Sequence, residues 1–72
     1  LFAYEARYEG RQLATIRGRE ADGGIVVETE VFPLGADEGI RRPFAFSSRA
    51  QAQQFVEEAL TALEYLNCTV ID

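Results

Sequence analysis

The pattern of apolar and polar positions divides the chain into a strand-like first part and a helical last part. Over residues 48–66, apolar side chains recur at spacings of three and four, which at 3.6 residues per turn form one stripe along a helix. The stripe consists of Ala52, Phe55, Val56, Ala59, Leu60, Leu63 and Leu66. We therefore predict a single amphipathic helix of about five turns, with Gln54, Glu57, Thr61 and Glu64 on its opposite side.

Both ends of this helix carry residues that are typical of helix termini. Ser48 is a favourable N-cap, and Gln51 three positions later completes a Ser-x-x-Gln capping box. Asn67 follows the last apolar residue and readily takes the left-handed conformation in which many helices end. These signals predict that the helix begins at Ser48 and ends just before Asn67.

The first part of the chain alternates apolar and polar residues with a period of two, which indicates strands. The predicted strands span residues 1–8, 11–20 and 25–32. Asp22-Gly23, between the last two, is typical of a two-residue type I′ turn. This turn predicts pairs of Ala21 with Gly24, Arg17 with Glu28, Thr15 with Glu30 and Leu13 with Phe32.

The first hairpin allows two registers. A three-residue loop with a bulge at Gly10 places Tyr4 opposite Ala14 and Phe2 opposite Ile16, so that all four share a face. A two-residue loop at Glu9-Gly10 would place Phe2 opposite Arg17 instead. Since a shift of one residue reverses the faces, the alternation favours the three-residue loop.

The segment between the third strand and the helix is less regular. Residues 33–42 are predicted to form a polar loop, and Pro43 restricts the strand that follows, residues 44–46, to an edge position. Phe44 and Phe46 share a face there and can reach the helix. Residues 69–71 are β-prone and short, and a fifth strand is left open.

Together these elements predict one α+β domain over residues 1–72. Its fold is a four-stranded antiparallel meander (β-β-β-β-α) with a possible short fifth strand and one long C-terminal helix packed on one face. The predicted core consists of the helix stripe and of Phe2, Tyr4, Ile16, Ile25, Val27, Val31, Phe44 and Phe46.

Composition narrows the chemistry. The chain has 72 residues, a formal net charge of −5 and no histidine, which excludes His-based nucleophile pairs and zinc sites that use imidazole. All seven basic residues are arginines, which together with abundant Ala and Gly suggests a GC-rich bacterial genome. No apolar run approaches the ~20 residues of a membrane span. We expect a bacterial, cytoplasmic protein that is not an enzyme, with no cofactor, metal or membrane partner.

Two groups with potential reactivity have a structural explanation that we favour. Cys68 has no basic neighbour in sequence and is expected to be a small, partly buried apolar residue. Glu28 and Glu30 project to the same side of one strand, where a carboxylate pair could do acid–base chemistry. Cross-strand pairing with Arg17 is the favoured interpretation.

The sheet face that lacks a helix is the predicted site of interaction. Its candidate residues are Arg7, Leu13, Arg17, Arg19, Val26 and Phe32. Leu13, Val26 and Phe32 are large apolar groups for a solvated face, and a domain this small gains stability from association. The first hypothesis for this face is therefore an interface with a second copy of the chain.

A resemblance suggests an alternative. Four strands and the sequence Phe44-Ala45-Phe46-Ser47 precede a helix that reads F-V-E-E-A-L-x-x-L-E-Y-L, and this order resembles the PUR repeat and, in outline, the Whirly proteins. The resemblance implies binding of single-stranded nucleic acid, with the arginines of the sheet face on phosphates and Tyr8 or Phe32 stacked on bases. The acidic net charge disfavours this alternative, and an enzyme with carboxylate chemistry ranks last.

Overall fold

The computed structural model describes all 72 residues as one sheet and one helix. The strands are β1 (Phe2–Tyr8), β2 (Arg11–Ala21), β3 (Gly24–Val31), β4 (Ile40–Phe46) and β5 (Thr69–Ile71), and helix α1 is Arg49–Tyr65. The sheet is open and antiparallel, with strand order β4-β3-β2-β1-β5. The predicted meander is confirmed, and the fifth strand is present as a short edge strand beside β1.

The second hairpin has the predicted turn. Asp22 and Gly23 have φ values of 48° and 80°, as a type I′ turn requires at both central positions. Ala21 pairs with Gly24, and Arg17 pairs with Glu28. Thr15 pairs with Glu30, and the Phe32 amide donates to the Leu13 carbonyl at 2.9 Å. The register of β2 against β3 is therefore confirmed.

The prediction for the first hairpin is wrong. Glu9 and Gly10 both have positive φ and form a two-residue turn, and Phe2 pairs with Gly18 rather than with Ile16. The register shifts between Ala6 and Arg7, where a β-bulge adds one residue to β2. The extra residue in β2 shifts the residues beyond the bulge to the opposite face. With this shift, the two-residue turn places the apolar residues of both strands on the same face, as the predicted three-residue loop also does.

Strand β4 begins four positions before the predicted start. It runs from Ile40 and pairs with β3 along its whole length, so residues 40–42 are strand rather than loop. Pro43 lies in its middle, opposite Glu28. An edge strand needs hydrogen bonds on one side only, which is why it tolerates a residue without an N–H.

The ends of α1 follow the predicted signals. The Ser48 hydroxyl accepts a hydrogen bond from the Gln51 amide at 3.2 Å, although the Gln51 side chain accepts from the Ser47 hydroxyl rather than closing the box. Asn67 has φ of 66°, and its amide donates to the Glu64 carbonyl. The Cys68 amide donates to the Leu63 carbonyl, which completes a Schellman motif and directs the chain into β5.

The core lies between α1 and the middle of the sheet. Its buried residues are Ile16, Ile25, Val27, Ala52 and Val56. Phe55 packs on β4, with ring centroids 4.9 Å from Phe44 and 5.3 Å from Phe46. A smaller cluster of Ala6, Ala14 and Cys68 lies below the end of the helix. Cys68 is thus the buried apolar residue that the sequence predicts.

Three residues of the predicted core, Val31, Phe44 and Leu66, are exposed instead, and Leu66 at the end of the helix is the most exposed of them at 63%. Val31 and Phe44 lie on the correct face of the sheet, yet 44% and 36% of their surfaces remain accessible. Val31 pairs with Ile40 at the start of β4, which the diagonal helix does not cover. Phe44 contacts the helix through Phe55 but stays partly exposed because it lies on the edge strand. The prediction that they form part of the core is therefore wrong.

Candidate functional site

The face of the sheet opposite the helix carries a network of charges. The Arg7 guanidinium lies 3.2 Å from the Glu5 carboxylate and also donates to the Gly10 carbonyl. The Gln12 amide donates to Glu5 at 2.6 Å. Arg7, one of the predicted site residues, is therefore held by neighbours of its own sheet. Its guanidinium is less available to a ligand than that of an unpaired arginine.

Two arginines at the centre of this face are free. Arg17 and Arg19 are exposed and form no ion pair within 4.0 Å. Arg17 pairs across the strands with Glu28, and Arg19 pairs with Val26. On the edge strand, Arg41 lies 3.3 Å from the Glu30 carboxylate. The face therefore mixes both signs of charge and has no large area of one sign.

The apolar candidates on this face are less prominent than predicted. Leu13 packs against the cluster formed by Ala6, Ala14 and Cys68, because the extra residue of the bulge changes the direction of this part of β2. Val26 and Phe32 are half-buried. None of the three is a large, exposed apolar side chain. The three apolar candidates thus do not form an exposed apolar patch on this face.

Three exposed apolar side chains of the sheet, Val31, Ile40 and Phe44, lie on the other face, beside the helix. Five strands spaced about 4.8 Å apart make a sheet about 19 Å wide, whereas a helix with its side chains is about 10 Å across. Helix α1 contacts β3 and β4 and reaches β5 at its other end, so it crosses the face diagonally. A diagonal helix leaves two corners of the sheet uncovered.

One uncovered region lies where β3 ends and β4 begins. We call it the open corner and define it as Val31, Ile40, Arg42 and Phe44 of the sheet with Leu66 of the helix end. Val31 pairs with Ile40, and Thr29 pairs with Arg42. The exposed fractions are 44% for Val31, 50% for Ile40, 36% for Phe44 and 63% for Leu66.

The helix supplies one wall of the open corner. Phe55 marks the side of α1 that faces β4. Ala62 and Leu66 follow Phe55 by seven and eleven residues, close to two and three full turns, so they lie on the same side. Glu58, three residues after Phe55, lies at the solvent rim of that side. The open corner is thus an exposed apolar area of the sheet beside the helix, with Arg42 on the sheet and Glu58 on the outer side of the helix.

The opposite corner holds a groove between α1 and the start of β1. The cavity between the helix and β1 has a volume of about 270 Å³. Leu1, Phe2 and Tyr4 line one side of it, and Val56 and Leu60 line the other. Arg49 lies at its end, 3.9 Å from Glu20. The cavity has apolar walls, and no buried polar side chain lacks a hydrogen-bond partner anywhere in the chain.

The remaining groups with potential reactivity are Cys68 and the carboxylates. No three His, Cys, Asp or Glu residues lie close enough together to hold a metal ion. Cys68 is buried in the small cluster, and Glu30 is paired with Arg41. The single helix is too short and too polar to cross a membrane.

Sequence reasoning missed the open corner, although one signal was present. The alternation predicted correctly that Val31 and Phe44 lie on the helix face. A comparison of the width of one helix with that of the sheet would have shown that a single helix cannot cover every residue on that face. Comparisons with protein-family models, curated proteins and solved structures give no match for this chain. The resemblance to the PUR repeat therefore stays a prediction.

Proposed function

We propose that the protein is a non-enzymatic interaction module that works as a homodimer. The observation that carries this proposal is the open corner, which exposes large apolar side chains next to the core. A soluble monomer rarely leaves such side chains grouped together unless the patch has a partner. Association with a second copy removes them from water.

The small core supports the same proposal. Only nine of the 72 residues are buried, and Val27 is the largest side chain that is completely enclosed. Below about 70–80 residues, a single core rarely supplies more than about 3–5 kcal/mol of stability. Burial of further apolar surface at a dimer interface adds to this stability, because each protomer then unfolds only after it dissociates.

The mass of the protein in solution tests this proposal. Light scattering or sedimentation at micromolar concentration should give twice the 8.0 kDa of the single chain, and dilution should return the mass to 8.0 kDa. Thermal stability should rise with protein concentration over the same range, since dimerisation is linked to folding. A mass of 8.0 kDa at every concentration up to the solubility limit would rule out the homodimer.

Arg17 and Arg19 support a second candidate, binding of single-stranded nucleic acid on the helix-free face. Both are exposed and unpaired, as arginines that meet phosphates must be. Against it stand the net charge of −5 and the presence of Glu28 beside Arg17. Two neutralised phosphates predict that the logarithm of the affinity falls with that of the salt concentration with a slope of about −1.4.

A pair of double variants tests this candidate. If the sheet face binds oligonucleotides, Arg17→Glu with Arg19→Glu should abolish binding measured by fluorescence anisotropy. At protein concentrations low enough to keep every variant monomeric, Arg42→Glu with Arg49→Glu changes the net charge by the same amount at exposed positions away from this face, and should reduce binding far less. Equal binding by both double variants would eliminate this face as the nucleic-acid site.

A further inference from the structure

We infer that the second copy docks on the open corner, with the end of each helix seated on the Val31–Ile40 pair of its partner. This inference rests on the proposed homodimer and adds the surface and the contacts. The helix end that would be inserted carries Tyr65 and Leu66, which are 85% and 63% exposed. The corner that would receive it carries Val31 and Ile40, both exposed and directly paired.

The open corner is complementary to itself, which a two-fold dimer requires. In such a dimer the same patch is used on both subunits, so the patch must contain both a projecting and a receiving part. Leu66 projects from the helix end, and Tyr65 extends this projection towards the outer side of α1, where Glu58 and Thr61 also lie. The uncovered β3–β4 surface receives it. Ala62, one turn before Leu66, is small enough to let the two helices approach closely at the symmetry axis.

The charges of the corner complement each other in the same way. Arg42 forms no ion pair within its own chain. The Glu58 carboxylate also forms no ion pair and accepts a hydrogen bond from the Gln54 side chain at 3.4 Å. The helix carries Glu57, Glu58 and Glu64 and no basic residue after Arg49. A two-fold dimer brings Arg42 of each copy towards the acidic helix rim of the other. Opposite charges across the interface also fix its orientation.

The free edge of the sheet is a less suitable place for the second copy. Strand β4 has a free edge over all seven residues, but Pro43 at its centre has no N–H to donate to a neighbouring strand. Arg41 and Arg42 stand next to it. Proline and charge on an edge strand are common features that prevent edge-to-edge pairing. Docking through side chains on the face avoids this obstacle.

A matched pair of substitutions tests the location. Ile40→Glu places a charge in the open corner, and Ile71→Glu makes the same change on the other edge strand, where Ile71 is exposed to a similar extent at 45%. We expect Ile40→Glu to raise the dissociation constant of the dimer about tenfold or more and Ile71→Glu to change it less than about twofold. Sedimentation measures the constant, and circular dichroism checks that both variants are folded.

Charge reversal tests the contact without inserting a charge into an apolar site. Arg42→Glu and Glu58→Arg should each weaken the dimer about fivefold, and the double variant should recover to within about twofold of the wild type. If Arg42 and Glu58 each affected the dimer only by stabilising their own protomer, the affinity of the double variant would not recover. Failure of the double variant to recover would contradict the proposed Arg42–Glu58 contact across the interface.

The outcomes separate this inference from the proposal on which it rests. If the wild type is a dimer that Ile40→Glu leaves intact while Arg17→Glu with Arg19→Glu dissociates it, the interface lies on the helix-free face. The homodimer would then stand and the docking surface would be wrong. If the wild type is a monomer at every concentration, both the homodimer and its interface are overturned.

Discussion

The two faces of the sheet differ in how their exposed side chains are satisfied. On the helix-free face, charged groups have neighbours of opposite sign, such as Arg7 with Glu5 and Arg41 with Glu30. On the helix-bearing face, apolar side chains are buried at the centre and exposed in the open corner. The helix-free face is polar and is therefore stable in contact with water, whereas the helix-bearing face leaves part of its apolar surface exposed to water.

This difference shows that a helix packed on one face of a sheet does not necessarily bury all the apolar residues of that face. Val27 is fully enclosed at the centre, whereas Val31, four residues later on the same strand and the same side, is nearly half exposed. The two valines have the same chemistry and differ only in their position relative to the diagonal helix. Position under the helix, rather than membership of a face, decides which residues belong to the core.

The largest effect that tests this comparison is a difference in stability between the centre and the corner. Ile16→Ala empties a fully covered site and should lower the free energy of unfolding by about 3 kcal/mol. Ile40→Ala removes a half-exposed side chain and should cost less than about 1 kcal/mol. Urea denaturation of both variants, at concentrations where the protein is monomeric, measures the two losses. Equal losses would show that the corner is covered.

A smaller effect concerns the helix that distinguishes the two faces. Ser48→Ala removes the hydroxyl that accepts from the Gln51 amide and should destabilise the protein by about 1 kcal/mol. Ser47→Ala is the matched control, because the Ser47 hydroxyl bonds only to the exposed Gln51 side chain and should matter by less than about 0.5 kcal/mol. Thermal unfolding followed by circular dichroism compares the two. Equal destabilisation by both would argue against Ser48 as the cap.

The smallest effect is expected on the helix-free face. Arg17→Gln and Glu28→Gln each remove a charge from cross-strand neighbours that form no ion pair. Each should change the free energy of unfolding by less than about 0.5 kcal/mol, with little dependence on salt. A loss above about 1 kcal/mol that disappears at high salt would reveal an ion pair between Arg17 and Glu28 in solution.

The sequence was most informative where a local signal has one structural solution. Asp22-Gly23 requires positive φ at two successive positions, and few other arrangements join two strands in this way. Ser48 and Asn67 mark the helix because the backbone groups at helix ends need partners, which these residues help to provide. Both signals are local, so the rest of the chain does not change their meaning.

Predictions failed where two arrangements satisfy the same pattern. In the first hairpin, a two-residue turn with a bulge in β2 keeps Tyr4 and Ile16 on one face, as the predicted loop also does. The alternation of apolar and polar residues shows which face a residue occupies. It cannot distinguish two registers of the strand pair that differ by two residues, because both keep each residue on the same face. The start of β4 at Ile40 was missed because edge strands carry polar and Pro residues that resemble a loop.

The candidate site could be predicted only in part for the same kind of reason. The free arginines of the helix-free face follow from the register of β2 against β3, which the sequence contains. The open corner depends on the direction of α1 across the sheet, and that direction follows from the turn at Asn67 and the pairing of β5 with β1. Neither of these long-range constraints has a signature in the pattern of single residues.

The most direct test of the central claim is a dilution series followed by two-dimensional NMR of the ¹⁵N-labelled protein. The account predicts that the amide signals of Val31, Ile40 and Leu66 shift with concentration, while those of Arg17, Arg19 and Glu28 stay fixed. Shifts confined to the helix-free face, or no shift on any residue across the accessible range, would contradict it.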